Sequence, residues 1–316
     1  MRKPLIIILA ALLLLTVVSC QRGANQTTDQ PTVALVLKTL NNPFFIDMQK
    51  GAEDAAKEVG VRLIVQAAER EVDVDKQMQI VENLIQSKVS ALCVTPSGSR
   101  EVVPAIVKAN RSGIPVIIVD TRVDAEALRQ AGGRIASFIG SDNFEGGKLA
   151  GEFIVKQLEG KGKIAILEGI PGHETGDSRL KGFHSVVDGV PGINVVASLT
   201  ANWERDQGYN VFQNILQSHP DVNALFACSD LMALGAVEAI AAARKSGSIT
   251  VVGFDAFSEA REAVVKGTMS ATIAQSPYEM GSQAIRNAGS LLKGAAVQPE
   301  ISVKIQLITK ENAVAR

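Results

Sequence analysis

The sequence predicts an α/β protein built on two parallel sheets. Ten short runs rich in β-branched residues recur along the chain. Most are near-continuously apolar, as expected of strands buried on both faces of a parallel sheet. Longer segments with helical spacing lie between them, and this βαβα alternation is the mark of an α/β fold. At ~150 residues per domain, 316 residues make about two domains. One sheet of ten strands is large, and two sheets of five or six fit the length better.

The first segment stands apart from this plan. Arg2 and Lys3 precede the apolar run 5–15, and Val17, Val18, Ser19 and Cys20 follow. A basic start, a short apolar core and small residues at its end read as a secretory signal over residues 1–19. The run is shorter than the ~20 residues of a membrane span. "VVSC" resembles a bacterial lipobox, whose cysteine is lipidated; Val17 stands where that motif most often has Leu. A plain secretory signal with a coincidental cysteine is the alternative. Residues 20–31 are polar and aperiodic, as in a flexible tether.

The strands are expected at residues 33–37, 62–66, 91–94, 115–119, 136–139, 163–167, 195–198, 224–228, 250–254 and 271–274. Helical spacing is clear in 45–59, where Ile46, Ala52, Ala56 and Val59 are apolar and Lys50, Glu53, Lys57 and Glu58 can face water. Gly60 stands where a left-handed helix stop is wanted. Segments 75–87, 144–158 and 230–244 follow the same plan. The two domains are expected to divide near residues 138–143. Cys93 and Cys228 each end an apolar run and read as buried thiols.

Ligands of open parallel sheets bind beyond the carboxyl ends of the strands, so polar and aromatic residues there are the candidates. After the first strand come Asn42, Pro43, Phe44 and Phe45, with Asn42 suited to cap a helix that Pro43 begins. The two Phe residues are equally readable as core at a helix start. Asp120 and Thr121 follow the fourth strand, and Asp120 can be a cap, a surface charge or a ligand acceptor. Arg179 lies in the loop after the sixth, and Trp203, the one Trp of the chain, follows the seventh. Ser229 and Asp230 follow the eighth, with Asp230 read as the helix cap; Asp255 follows the ninth and Gln275 the tenth. The set suits neutral polyols: carboxylates accept from hydroxyls, Arg donates in a fixed fork, and aromatic faces cover the C–H face of a sugar ring.

"LNNPFF", the aspartate after "PVIIV", "RLKGF", "CSDLMALGA", "VVGFDA" and "ATIAQSP" occur in that order. Together they resemble the periplasmic sugar-binding proteins of the ribose-binding group, over nearly the whole chain after residue 31. The resemblance implies two doubly wound parallel-sheet lobes joined by a three-strand hinge, the type I periplasmic binding protein fold. It divides the chain into a lobe of residues 32–141 with 276–300 and a lobe of 142–275 with 301–316. It implies a monosaccharide ligand, held by Asn42, Phe44, Phe45, Asp120, Arg179, Trp203, Asp255 and Gln275. It also implies delivery to an ABC permease and its ATPase subunits, outside the cytoplasmic membrane, by a monomer without a cofactor or metal.

Three positions depart from the ribose pattern: Lys38 for a small polar residue, Thr121 for an Arg, and Ser229 for an Asn. Lys38, Trp203 and "VDTRVDAEALRQAGG" are closer to the allose-binding branch, although that branch keeps the Asn. Such changes can swap the preferred sugar, because an epimer leaves buried polar groups unpaired. Allose, ribose, another pentose or hexose, a sugar alcohol, inositol and a furanose signal molecule all remain candidates, with a pyranose aldose favoured.

Other classes fit worse. Lys and Arg number 32 against 33 Asp and Glu, so no basic surplus supports nucleic-acid binding. A repressor of related lobes needs an N-terminal helix-turn-helix, and this N-terminus is an apolar leader. The nucleotide, hydrolase and metalloprotease motifs are missing, and His173, His184 and His219 lack metal-ligand spacing. Only His173 is placed to approach the cleft. A sensing role through a chemoreceptor or sensor kinase would use the same fold.

Overall fold

A computed structural model describes residues 30–313. The expected leader, Cys20 and the tether as far as residue 29 lie outside the described residues.

Two six-stranded sheets carry the fold. The first holds β1 (Thr32–Leu37), β2 (Arg62–Ala67), β3 (Ala91–Val94), β4 (Val116–Val119), β5 (Ser137–Ser141) and β11 (Glu300–Val303), in the order β11-β5-β4-β3-β1-β2. All its pairings are parallel. The second holds β6 (Gly162–Glu168), β7 (Ile193–Thr200), β8 (Ala224–Ala227), β9 (Thr250–Asp255), β10 (Ala271–Ala274) and β12 (Gln306–Thr309), in the order β12-β10-β9-β8-β6-β7. Its edge strand β12 runs antiparallel to β10, a departure from the all-parallel expectation.

The two orders are the same winding used twice. In each lobe the strand order reverses once, beside β1 in the first and beside β6 in the second. Such a switch point opens a crevice at the carboxyl ends of the strands. Lys38, Thr95, Gly169 and Ser229 lie just beyond the ends of the strands that flank the two crevices.

Helices cover both faces of the sheets: α1 (Pro43–Val59), α2 (Val74–Gln86), α3 (Val103–Arg111), α4 (Ala125–Gln130) and α10 (Pro277–Leu292) with the first, and α5 (Asn143–Gln157), α6 (Glu174–Val187), α7 (Arg205–Ser218), α8 (Asp230–Ala242) and α9 (Ser258–Lys266) with the second. Asn42 caps α1 by accepting from the Phe44 amide at 3.0 Å, Pro43 opens it, and Gly60 closes it at φ 77°. The expected cap of α8 is corrected. Ser229 is the N-cap, and Asp230 is turned inward to Thr272. The Phe183 and Phe226 rings stack at 4.6 Å in the second core. Cys93 and Cys228 are free and buried.

The chain passes between the lobes three times: between β5 and α5, between β10 and α10, and between β11 and β12. The last crossing corrects the expected boundary after residue 300. β11 pairs with β5 as far as Val303, so the chain leaves the first lobe at residues 304–305. β11 and β12 are four-residue edge strands in which polar and apolar residues mix, EISV and QLIT, so neither stands out as an apolar run.

Candidate functional site

Both lobes line one small cavity. It brings together Lys38, Asn42, Phe44, Phe45 and Asp120 from the first lobe with Arg179, Trp203, Ser229, Asp255 and Gln275 from the second lobe and the hinge. Thr121 is the exception among the candidates. It is buried behind the wall, and its hydroxyl donates to Asp120 at 3.0 Å. Glu71 and Thr175 also line the cavity. Glu71 sits in the charged run Glu69-Arg70-Glu71, which reads in sequence as a solvated loop. The signal that could have found it is Lys38, a buried cation that demands a buried carboxylate partner.

The first-lobe wall is a charge network. The Lys38 ammonium is 3.2 Å from Asp120 and 3.9 Å from Glu71, and lies 5.7 Å above the Phe45 ring. The Asn42 amide that caps α1 with its oxygen donates with its nitrogen to Glu71 at 3.1 Å. Burial raises the Glu71 pKa, against the pull of Lys38 and of the Asn42 hydrogen bond. Phe44 and Phe45 meet edge to face at 5.2 Å.

The second-lobe wall is organised by Arg179, which is 4% exposed. Its Nε donates to Asn143 at 2.9 Å and its terminal nitrogen to the Cys228 carbonyl at 2.6 Å. The guanidinium lies 3.7 Å over Phe254, and Asp255 is 3.8 Å away. These contacts fix the fork and leave the rest of it to the cavity. Gln275 donates to Asp255 at 2.7 Å, while its own buried carbonyl oxygen has no protein partner. Burial pushes the Asp255 carboxyl up to about 7, with Arg179 and Gln275 pulling it down and the charges of Asp120 and Glu71 pushing it further up. Asp230, behind it, is raised well above the usual range by burial and by the charge of Asp255.

The backbone is strained where the site needs it. Asp120, Trp203, Asp255 and Ala256 all have positive φ, at 65°, 67°, 113° and 56°. Such conformations cost ~1–3 kcal/mol each and persist only where the surroundings enforce them. Trp203 also depends on Gly169: a Cβ there would lie 1.9 Å from an indole carbon. The indole nitrogen donates to His173 Nδ1 at 3.3 Å. Burial and the charge of Lys38 hold the His173 pKa down to about 3, against a hydrogen bond to the Ser97 backbone and the charge of Asp120. Of the other histidines, His184 pairs with Asp188 on the surface and His219 precedes a turn. Among the described residues no cluster of His, Cys, Asp and Glu could hold a metal ion.

Comparison with known proteins agrees with this fold. The model of the periplasmic binding protein domain matches residues 33–296. The ribose import binding protein of Bacillus subtilis is 38% identical over 280 residues, 89% of this chain and 88% of its own. The D-allose-binding periplasmic protein of Escherichia coli is 36% identical over 254 residues, 80% of this chain and 82% of its own. A periplasmic solute-binding protein of an ABC transporter from Actinobacillus succinogenes, solved with bound D-allose, superposes with a TM-score of 0.86 at 40% identity, covering 90% of this chain and 99% of that one. One from Bacillus halodurans with bound myo-inositol gives 0.83 at 29%, covering 90% and 96%. The chain belongs to the periplasmic binding protein domain family.

Proposed function

We propose that this protein is the extracytoplasmic solute-binding component of an ABC-type sugar importer, and that it captures one monosaccharide between its lobes and delivers it to the permease and its ATPase subunits. The observation that carries this reading is the cavity itself. It is small, polar and aromatic, is built from both lobes, and contains a buried Gln275 acceptor that a ligand hydroxyl would satisfy. The relatives named for ribose and allose binding support the same chemistry.

Each group then has a role. Asp120, Glu71 and Asp255 accept from sugar hydroxyls, and Arg179, Lys38 and Asn42 donate to ring and hydroxyl oxygens. Phe44, Phe45 and Trp203 cover the C–H faces of a pyranose aldose. Ser229, shorter than the Asn of related sites, leaves space beside the ligand. A ligand that touches both walls binds the closed form better than the open one, and that difference drives closure. A ~1 μM affinity needs about −8 kcal/mol, within reach of a few hydrogen bonds to charged groups at ~1.5–3 kcal/mol each. The lipidated Cys20 tethers the protein to the outer face of a membrane, and a Cys20→Ala chain is then released from the membrane fraction.

The test is thermal unfolding against a panel of aldoses, ketoses, sugar alcohols and inositols. A ligand that binds only the native form adds ~2.7 kcal/mol at 100 times its Kd. One clear rise in midpoint among the pyranose aldoses supports the reading, and a flat response across the panel refutes it.

A further inference from the structure

In both lobes the carboxyl ends of the parallel strands face the shared cleft, so their amino ends lie at the two far ends of the molecule. At the far end of the first lobe the strands begin side by side. Thr32 is level with Arg62, Val33 with Ala91, Leu92 with Val116, Ile117 with Ser137 and Phe138 with Glu300. The turns that lead into them therefore share one surface.

That surface is basic. Arg62, Lys88, Arg111, Arg134 and Lys293 lie on it, all exposed, and none has a carboxylate partner among the described residues. The acids around them are already matched: Glu58 by Arg286 at 2.7 Å, Glu82 by Lys108 at 3.4 Å, and Glu300 by Arg122. Cations suit helix C-termini in general, and the far end of the second lobe has them too, in Lys156, Lys161, Arg244 and Lys310. There they are interleaved with Glu159, Asp188 and Glu311, none of which pairs with a Lys or Arg among the described residues.

Between the first-lobe cations the surface is hollow. Two adjoining grooves share Gly113 and Ile114. Lys88, Ser90, Lys108 and Ser112 line one, and Asn110 and Arg134 the other. Cations beside hydroxyls are the chemistry that holds a phosphodiester. The chain also enters the fold here, where the Thr32 amide donates to Ser90 Oγ at 3.1 Å at the rim of the first groove. Residues 21–31 separate Cys20 from Thr32, and a flexible segment of that length spans ~18 Å on average. A lipid on Cys20 keeps this end, and not the opposite one, beside the bilayer.

We propose that the far end of the first lobe binds the phosphate headgroups of anionic lipids and parks the tethered protein on the bilayer by one lobe. The inference rests on the extracytoplasmic, lipid-anchored reading above. The chain as a whole carries a net charge of −1, so its attraction to an anionic surface is local. It acts within a Debye length, ~8–10 Å, a distance the tether permits. Only the first lobe is held, so the second remains free to close on the sugar.

The test uses the chain from Gln21, which holds every described element and carries no lipid, with vesicles of phosphatidylcholine made with and without phosphatidylglycerol. The wild type is expected to sediment only with the phosphatidylglycerol vesicles, and to leave them at high salt. Lys88→Glu, Arg111→Glu and Arg134→Glu combined are expected to weaken this binding at least ~10-fold. Lys161→Glu, Arg244→Glu and Lys310→Glu combined make the same change in net charge at the opposite end, and are expected to bind like the wild type. Lys88→Gln, Arg111→Gln and Arg134→Gln combined are a milder change, expected to fall between, and they decide the matter if charge reversal impairs folding. A wild type that ignores phosphatidylglycerol overturns the proposal. So does an equal loss at the two ends, which marks attraction by overall charge. A native protein whose mass shows no lipid on Cys20 faults the anchor reading instead, and the vesicles still decide the surface.

Discussion

Replacing Gly169 by Ala perturbs the cavity through a single methyl group. The added Cβ would lie 1.9, 2.2 and 2.3 Å from three indole carbons of Trp203, where ordinary contact begins at 3.4 Å. The ring must therefore move by about 1.5 Å, and the loop cannot easily give, because Trp203 already holds a strained φ of 67°. Such a shift carries the indole nitrogen out of reach of His173, now 3.3 Å away. Overpacking costs ~1–3 kcal/mol, and a buried donor left without its acceptor a further ~1–3 kcal/mol. At ~2–4 °C per kcal/mol in a domain of this size class, the midpoint falls by roughly 4–24 °C. Sugar affinity falls at least tenfold, since the stacking wall has moved. Thermal unfolding, Trp203 emission and calorimetric titration read the three effects. A Gly169→Ala protein with wild-type midpoint and unmoved emission would refute the packing argument.

The remaining predictions concern charge, burial and capping. Asp255, Asp230 and Glu71 have raised pKa values, so the native state keeps protons that the unfolded chain has released, and stability falls as pH rises, for Asp255 up to about 7. His173 acts in the opposite sense, its contribution being lost only as pH falls from 6.5 towards about 3. Ligand-free protein should therefore lose stability as pH rises towards about 7 and level off above it, and Asp255→Asn should flatten that slope while weakening sugar binding; denaturant titrations across that range check it. Gln77→Leu leaves two carbonyls and one amide unpaired in the core, and should cost ~2–5 kcal/mol in the same assay. Ser229→Asn keeps an N-cap former on α8, so its melting point should hold while the ranking of sugars in the panel changes.

The central strands and the cleft residues were legible for a common physical reason. Strands buried on both faces are apolar almost throughout, and in an open parallel sheet whatever follows them faces the crevice. Two edge strands escaped because β11 and β12 are short and mix polar with apolar residues. At Ser229-Asp230 either side chain suits a cap, and the choice falls to a tertiary contact, the Thr272 hydroxyl on Asp230. Thr121 was assigned to the cavity because it follows Asp120, but the positive φ at Asp120 turns the chain there and leaves Thr121 behind the wall. Glu71 and Thr175 carry no local signal. They reach the cavity only because the loop after β2 and the start of α6 converge once both lobes are in place.

Calorimetric titration with D-allose of the wild type and of Asp255→Ala tests the central claim most directly, because Asp255 belongs to the charged second-lobe wall and is expected to hold a sugar hydroxyl. The account predicts one sugar bound per wild-type chain, and an Asp255→Ala protein that still folds but has lost most of its affinity. Equal affinity in the two proteins would contradict it and place the sugar elsewhere.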